Sequence, residues 1–349
     1  MSERTLDPEP SVAHPPMGEG IEQLSASMAR RILPVRQPGA HKWGVGALLI
    51  IGGSPVYVGA VALAAMAAQR SGAGIVQLAV PRGIIAPLVS LVPEATYVPL
   101  RESESAGGAR AAASLIAEKT ERTTAMLIGP GLGQDAAADG LLRALFGAPG
   151  TISSIGFGVA ANNGRKDDTA TAHGRHHPAG RSGKATVIDA DGLNWLAGQP
   201  DWPGLLTPRS TVLTPHPGEM ARLLKKETAE IVEDPIAAVR EAALLAKQVV
   251  VLKYGYTAVS NGERTFVAPA APSSLASAGT GDVLAGSIAG FLAQGMEPLE
   301  AASLAVYLGC QAALRLQAQF GTLGLVASDL PHAIAEEIAR LESAAKSDG

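Results

Sequence analysis

The chain reads as short, unbroken apolar runs that end in glycine or polar clusters, with longer helical stretches between them. Residues 47–51 are apolar at every position, the pattern of a strand buried on both faces. Gly52-Gly53-Ser54 follow, and a helix is predicted over 60–70, ended by Gly72 and Gly74. A second strand is predicted over 75–80, closed by Pro81, then a short helix over 83–91. Further strands are predicted at 126–128, 186–188, 211–213 and 249–252. They run into Gly129-Pro130-Gly131-Leu132-Gly133, Asp189-Ala190-Asp191-Gly192, Thr214-Pro215-His216-Pro217-Gly218-Glu219 and Lys253, respectively. Strands that alternate with helices in this way predict a doubly wound, mostly parallel α/β sheet with helices on both faces. Ligands of such sheets lie at the carboxyl ends of the strands, where these loops converge.

Two segments break the alternation. Asn261-Gly262, between 256–260 and 264–267, predicts an antiparallel hairpin at an edge of the sheet. Residues 147–184 are rich in Gly, Ser, Asn and His, and read as a flexible insertion. That stretch holds His173, His176 and His177 with Asp167 and Asp168 upstream, at a spacing that fits no metal-ligand pattern; a solvated loop is the plainer reading. After Asp282 the pattern is helical, over 283–293, 298–317 and 327–345. Residues 1–32, with Pro, Ser, Glu and Gly prominent at their start, are expected to be a disordered or loosely ordered lead-in, leaving one domain over 33–345.

Composition narrows the function. Of 349 residues 47% are hydrophobic but only 4% aromatic, so the core must be built from Ala, Val, Leu and Ile. A net charge of −4, with no basic run longer than Arg30-Arg31, argues against a nucleic-acid partner. Apolar runs such as 58–68 are too short to cross a bilayer, and the N-terminus lacks the pattern of a signal peptide. The single cysteine, Cys310, can form no internal disulfide. A cytoplasmic enzyme without a membrane partner is the expectation.

The chemistry concentrates in Ser277-Ala278-Gly279-Thr280-Gly281-Asp282, just before a helical run. Small residues let backbone N–H groups turn toward one point, and the helix start adds partial positive charge there. Such a nest suits a phosphoryl group in transfer, and Asp282 at its mouth suits a base for a substrate hydroxyl. A plain first-turn acid is the simpler alternative for Asp282. A strand-end segment, Lys253-Tyr254-Gly255-Tyr256-Thr257, suits a nucleotide's phosphates or ribose. His216, fixed between two prolines, suits a substrate contact or a turn. Asp189 and Asp191 suit water, Mg²⁺ or sugar hydroxyls, and Asp191-Gly192 also suits a plain turn. Neither glycine-rich loop has the spacing of a dinucleotide fingerprint or a P-loop.

In this order the motifs resemble the ADP- or ATP-dependent NAD(P)H-hydrate dehydratases of the ribokinase-like superfamily. The resemblance runs from His41-Lys42 and Gly52-Gly53-Ser54 through Arg70-Ser71-Gly72-Ala73-Gly74 and Pro93-Glu94 to the loops just named, over roughly 33–335 without the insertion. It implies repair of hydrated NADH or NADPH: phosphorylation of the ring hydroxyl by the nucleotide, then elimination of phosphate. Under it Asp282 is the base and Gly279, Thr280 and Gly281 form the anion hole. Ala60, Gly131, His216 and Asp282 contact the hydrate, while Lys253, Tyr254, Gly255, Tyr256, Thr257 and Gly281 hold the adenine nucleotide. Mg²⁺ and a homo-oligomer, a tetramer, are implied too. Three features depart from the family pattern: Tyr254 where glycine usually follows the lysine, Trp43 where glycine usually follows His-Lys, and the insertion. Many relatives carry an N-terminal epimerase domain for which 1–32 is too short, so a stand-alone dehydratase is expected. The competing readings are a ribokinase-like kinase of a small hydroxyl substrate and a non-catalytic nucleotide-binding module.

Overall fold

A computed structural model describes residues 18–101, 104–147 and 184–347. The chain opens with β1 (Ile21–Gln23), α1 (Ala26–Ile32) and the single turn α2 (Lys42–Val45). The first βαβ units follow: β2 (Ala47–Ile51), α3 (Val58–Arg70), β3 (Ile75–Pro81), α4 (Ile85–Leu91), β4 (Thr96–Leu100) and α5 (Ala106–Thr120). Then come β5 (Ala125–Ile128), α6 (Ala136–Phe146), β6 (Ala185–Ile188), α7 (Asp191–Ala197) and β7 (Thr211–Leu213). The helices α8 (Pro217–Leu224), α9 (Thr228–Glu233) and α10 (Pro235–Ala246) lead to β8 (Val249–Leu252), β9 (Ala258–Ser260) and β10 (Thr265–Val267). Three helices close the chain: α11 (Thr280–Ala293), α12 (Pro298–Phe320) and α13 (Leu330–Ser347).

The strands form one sheet in the order β1-β10-β9-β8-β7-β6-β5-β2-β3-β4, and β9 alone among them runs antiparallel to its neighbours. The expected doubly wound sheet is therefore present. Its unbroken apolar strands serve two cores at once: Leu48 and Ile50 face one, Leu49 and Ile51 the other. Helices α3, α11, α12 and α13 cover the first face, and α6, α8 and α10 the second. No helix of the described residues is long and apolar enough to cross a membrane.

Two expectations need correction. The hairpin exists, with Gly262 at φ 89° and Asn261 Oδ1 accepting from the Glu263 and Arg264 N–H groups, but it is not an edge. β1 pairs in parallel with β10 and covers it. Secondary structure is thus present well before residue 33, because this short strand and α1 supply edge pairing and core contacts that composition alone hides. Residues 148–183, most of the expected insertion with its three histidines and two aspartates, lie outside the described residues. Their anchors are visible. Gly147 ends α6 in the left-handed region at φ 65°, and Lys184 Nζ donates to the carbonyls of Thr120 and, at 2.6 Å, Thr123.

One helix pair positions the site. A Cβ on Gly286 would stand 2.1 Å from the Ala64 carbonyl oxygen, and one on Gly290 2.7 Å from that of Ala68. The two helices therefore run in parallel with small residues in matched turns, closer than any side chain would permit.

Candidate active site

Three strand ends and the start of α11 supply the side chains. After β7 the chain enters α8 through His216, its N-cap. His216 Nδ1 accepts from the N–H groups of Gly218 (3.0 Å) and Glu219 (3.3 Å), while Glu219 Oε2 accepts from the His216 N–H at 2.8 Å. This is a capping box with histidine in the serine position. Because Nδ1 accepts, the proton of the neutral ring resides on Nε2. Burial pushes the His216 pKa down, helped by Lys253 and Arg222 and opposed by Asp189. The ring is thus a neutral donor whose Nε2 lies 3.6 Å from Glu219 Oε1.

After β6, Ala190 sits at φ 48° and ψ −118°, a sparsely populated conformation costing a non-glycine residue on the order of 1–3 kcal/mol. This turn divides the two aspartates between separate tasks. Asp189, only 1% exposed, accepts from Thr214 Oγ1 at 2.8 Å and from Lys253 Nζ at 2.7 Å. Asp191 accepts from the Gly133 N–H at 2.9 Å and Gln134 Nε2 at 3.0 Å, tying down the loop after β5. Both carboxylates thus engage the protein, where the sequence offered them to water, Mg²⁺ or sugar.

Lys253 follows β8. Burial favours its neutral form, but Asp189, Glu219 and Asp282 outweigh burial and hold its pKa above the ordinary value. Its Nζ would stand 3.2 Å from a Cβ on Gly281, so the ammonium reaches the start of α11. Gly279 takes the N-cap at φ 89°, and a Cβ there would meet Leu63 Cδ1 at 2.6 Å. No side chain caps α11, which leaves first-turn N–H groups such as that of Gly281 for an anion. The Thr280 hydroxyl is turned away, toward the carbonyls of Leu275 (2.9 Å) and Ser277 (3.0 Å).

Asp282 carries the most informative charge. Burial raises its pKa to about 7, with Asp189, Asp191 and Glu219 adding and Lys253 opposing. Glu219, 5% exposed, is also raised to about 7, chiefly by burial. Two carboxyls poised near neutrality beside a permanent cation suit proton transfer at ordinary pH.

A cavity of about 430 Å³ opens beside this cluster, between the loop after β8, α11, α12 and α13. Lys253, Tyr254, Gly255, Thr257, Thr280 and Gly281 line it; Tyr256, the remaining residue of that expected segment, does not. Its inner wall includes Val306, Cys310 and Ile334, and burial pushes the Cys310 thiol up to about 11, so the cysteine is an inert wall atom. Gly131, at φ 60°, approaches Tyr57 and Ala60: a Cβ there would lie 3.0 Å from the Ala60 Cβ. The structure therefore joins Asp282, Lys253, His216 and the glycine nest in one place, and Ala60 with Gly131 in another that the α3–α11 contact brings alongside. Glu219 and the Lys253–Asp189 pair were not singled out in the sequence; only the glutamate three residues after the N-cap signals the first. Among the described residues no three His, Cys, Asp or Glu side chains are grouped to hold a metal ion.

Known proteins share this architecture. A family profile described as NAD(P)H-hydrate dehydratase matches residues 48–148 and 152–338. A bifunctional NAD(P)H-hydrate repair enzyme, Nnr, of Salinibacter ruber is 37% identical over 313 residues, covering 89% of this chain and 51% of that protein. The chain thus spans about half the length of the curated relatives it matches. Among solved structures, an ADP/ATP-dependent NAD(P)H-hydrate dehydratase of Bacillus subtilis, co-crystallised with ATP and Mg²⁺, superposes with a TM-score of 0.72 at 26% identity, over 93% of this chain and all of that one. A ribokinase-like superfamily protein of Enterococcus faecalis gives 0.73 at 24% identity over 94% and 99%, and shows the shared fold. With the profile matching most of its length and its strand-end loops in place, the chain belongs to the NAD(P)H-hydrate dehydratase family.

Proposed function

We propose that this protein removes water from hydrated NADH or NADPH at the cost of an adenine nucleotide, ADP or ATP. The observation that carries this reading is the position of Asp282. It lies at the uncapped start of α11, with a pKa of about 7, beside a cavity large enough for a nucleotide. Lys253, Tyr254, Gly255, Thr257 and Gly281 hold the nucleotide, and Ala60, Gly131 and His216 the hydrate. In the first step the ring hydroxyl oxygen attacks the terminal phosphorus and the bond to the nucleotide breaks. Asp282 takes the hydroxyl proton. The Gly281 N–H and the Lys253 ammonium stabilise the charge on the transferring group. In the second step the carbon–oxygen bond to phosphate breaks and the adjacent carbon loses a proton, which restores the ring double bond. Phosphorylation thus turns a poor leaving group into a good one.

Among the described residues the donor set fits a Mg²⁺ that enters on the nucleotide's phosphates and keeps several waters, not one caged by side chains. Glu219 and Asp282 are the carboxylates that would face it, and the ion would neutralise charge on the phosphates. A homo-oligomer is part of the same proposal, checked by light scattering of the purified chain. The deciding experiment follows loss of NADH hydrate and NADPH hydrate with ADP and with ATP in the presence of Mg²⁺, together with phosphate release. Loss of hydrate coupled to phosphate release is expected; no loss with either nucleotide overturns the reading.

A further inference from the structure

A second cavity, of about 300 Å³, opens on the carboxyl edge of the sheet and is not lined by any residue of the reaction site. Gly53, Ser54 and Pro55 of the loop after β2 form one wall, and Leu132 and Asp135 of the loop after β5 another. The strand order explains why it exists. From β2 the chain winds outward to β3 and β4; from β5 it winds the other way, to β6, β7 and β8. The helix after β2 packs on one face and the helix after β5 on the other, so beyond their backbone contact the two loops turn to opposite faces. Open α/β sheets take ligands at this reversal. The crevice is also firm: the Gly53 N–H donates to the Pro130 carbonyl at 2.8 Å.

The loop of Gly131 joins this cavity to the reaction site. Gly131 itself packs on Tyr57 and Ala60, and the next residue, Leu132, lines the cavity. From Asp189, just after β6, to Pro81, the end of β3, is three inter-strand steps, about 14 Å at the usual spacing. A molecule with its reacting ring at Asp282 and a second nucleoside joined through a pyrophosphate spans such a gap. The cavity's chemistry suits that second nucleoside. Leu100, Leu132 and Leu141 offer apolar surface for a flat base. Arg101 and Glu104 also line it, and these are the residue types that meet a ribose 2′-phosphate and ribose hydroxyls. Ser54 Oγ on the wall is buried and has no hydrogen-bond partner among the described residues.

We propose that this cavity holds the adenosine half of the dinucleotide hydrate, with Arg101 facing the 2′-phosphate of the NADPH form and Glu104 the ribose of either form. The assignment rests on the hydrate-dehydratase reading above. It makes the switch-point crevice the substrate's anchor and leaves the larger cavity to the co-substrate.

The test uses two variants of the full chain, Arg101→Glu and Ala112→Phe, the second because Ala112 lines the cavity and a larger side chain there fills it. Thermal melts establish that both fold. Arg101→Glu should raise KM for NADPH hydrate by roughly tenfold or more, the size of one lost charged contact, and change KM for NADH hydrate much less. Ala112→Phe should raise both, with KM for the nucleotide unchanged in each variant. Binding of adenosine 2′,5′-bisphosphate, measured by calorimetry with ADP saturating the first cavity, should weaken in parallel. Folded variants that leave both hydrate KM values and bisphosphate binding within twofold of wild type overturn the proposal. If wild type consumes no hydrate but binds the bisphosphate through Arg101, the dehydratase reading fails and the adenosine site stands.

Discussion

Gly286 of α11 lies against the backbone of Ala64 in α3, so near that a Cβ would come within 2.1 Å of the carbonyl oxygen. The next turn repeats the contact, Gly290 on Ala68. Asp282 and Ala60 each stand one turn before this contact, on the same faces of α11 and α3. The proposed base and a proposed substrate contact, from distant parts of the sequence, are thus aligned by packing of small residues.

Gly286→Ala tests that alignment. Alanine favours a helix over glycine by about 1 kcal/mol, but a carbonyl at 2.1 Å cannot be accommodated without parting the helices. Overpacking of this kind costs typically about 1–3 kcal/mol, so the clash should win. A lower melting temperature and a raised KM for hydrate are expected; a melt at or above wild type would show that the helices are not in this register.

Asp282→Asn should abolish turnover and raise stability at once. Loss of a general base lowers the rate by about 100- to 10,000-fold. The folded chain keeps the Asp282 proton up to about 7, whereas the ordinary value is 3.8. Stability from this group is therefore lost as pH rises through that window. The variant should melt above wild type at about pH 8 and converge with it near pH 4. Melting curves across pH check the sign.

The rate should climb with pH through about 7 as Asp282 ionises. Glu219 is one of the charges holding that value up. Glu219→Gln keeps an acceptor for the His216 N–H and so preserves the capping box, yet it removes the charge. The acid limb of the kcat/KM profile should move to lower pH; an unmoved limb would mean that another group sets it.

Lys253→Met leaves Asp189, 1% exposed, without its cation. Breaking a buried pair from one side costs roughly 3–5 kcal/mol. Adding Asp189→Asn should recover part of that stability, since the orphaned charge is gone, while KM for the nucleotide stays high. A double-mutant cycle of melts and KM values separates the two roles.

The central winding was readable because β2, β5 and β8 are apolar at every position and end in polar or glycine-rich loops. The outer elements were not. β1 is three residues long and only half-buried or exposed, so no run of apolar residues announces it. β4 carries Pro99 and exposed Thr96, the mark of an edge strand, and α5 is mostly Ala, Gly and polar residues. At the site, Asp282 and the nest around Gly279 stood out because glycine and a first-turn acid have a local signature. The pairing of Lys253 with Asp189, and of Asp191 with Gly133, joins residues 64 and 58 positions apart, and no local pattern reports such contacts.

The anchors at Gly147 and Lys184 have a practical consequence. They join the end of α6 to the start of β6, on the amino edge of the sheet, opposite the edge where Asp189, His216 and Asp282 meet. Lys184 is fastened to the turn after α5 whatever precedes it. Deletion of residues 150–182 should therefore leave hydrate turnover within a few-fold of wild type, and loss of activity in a folded deletion would place that stretch in the site or in a subunit contact. If turnover survives, this junction is the place to splice in an affinity handle or a fluorescent reporter that watches the enzyme without touching its chemistry.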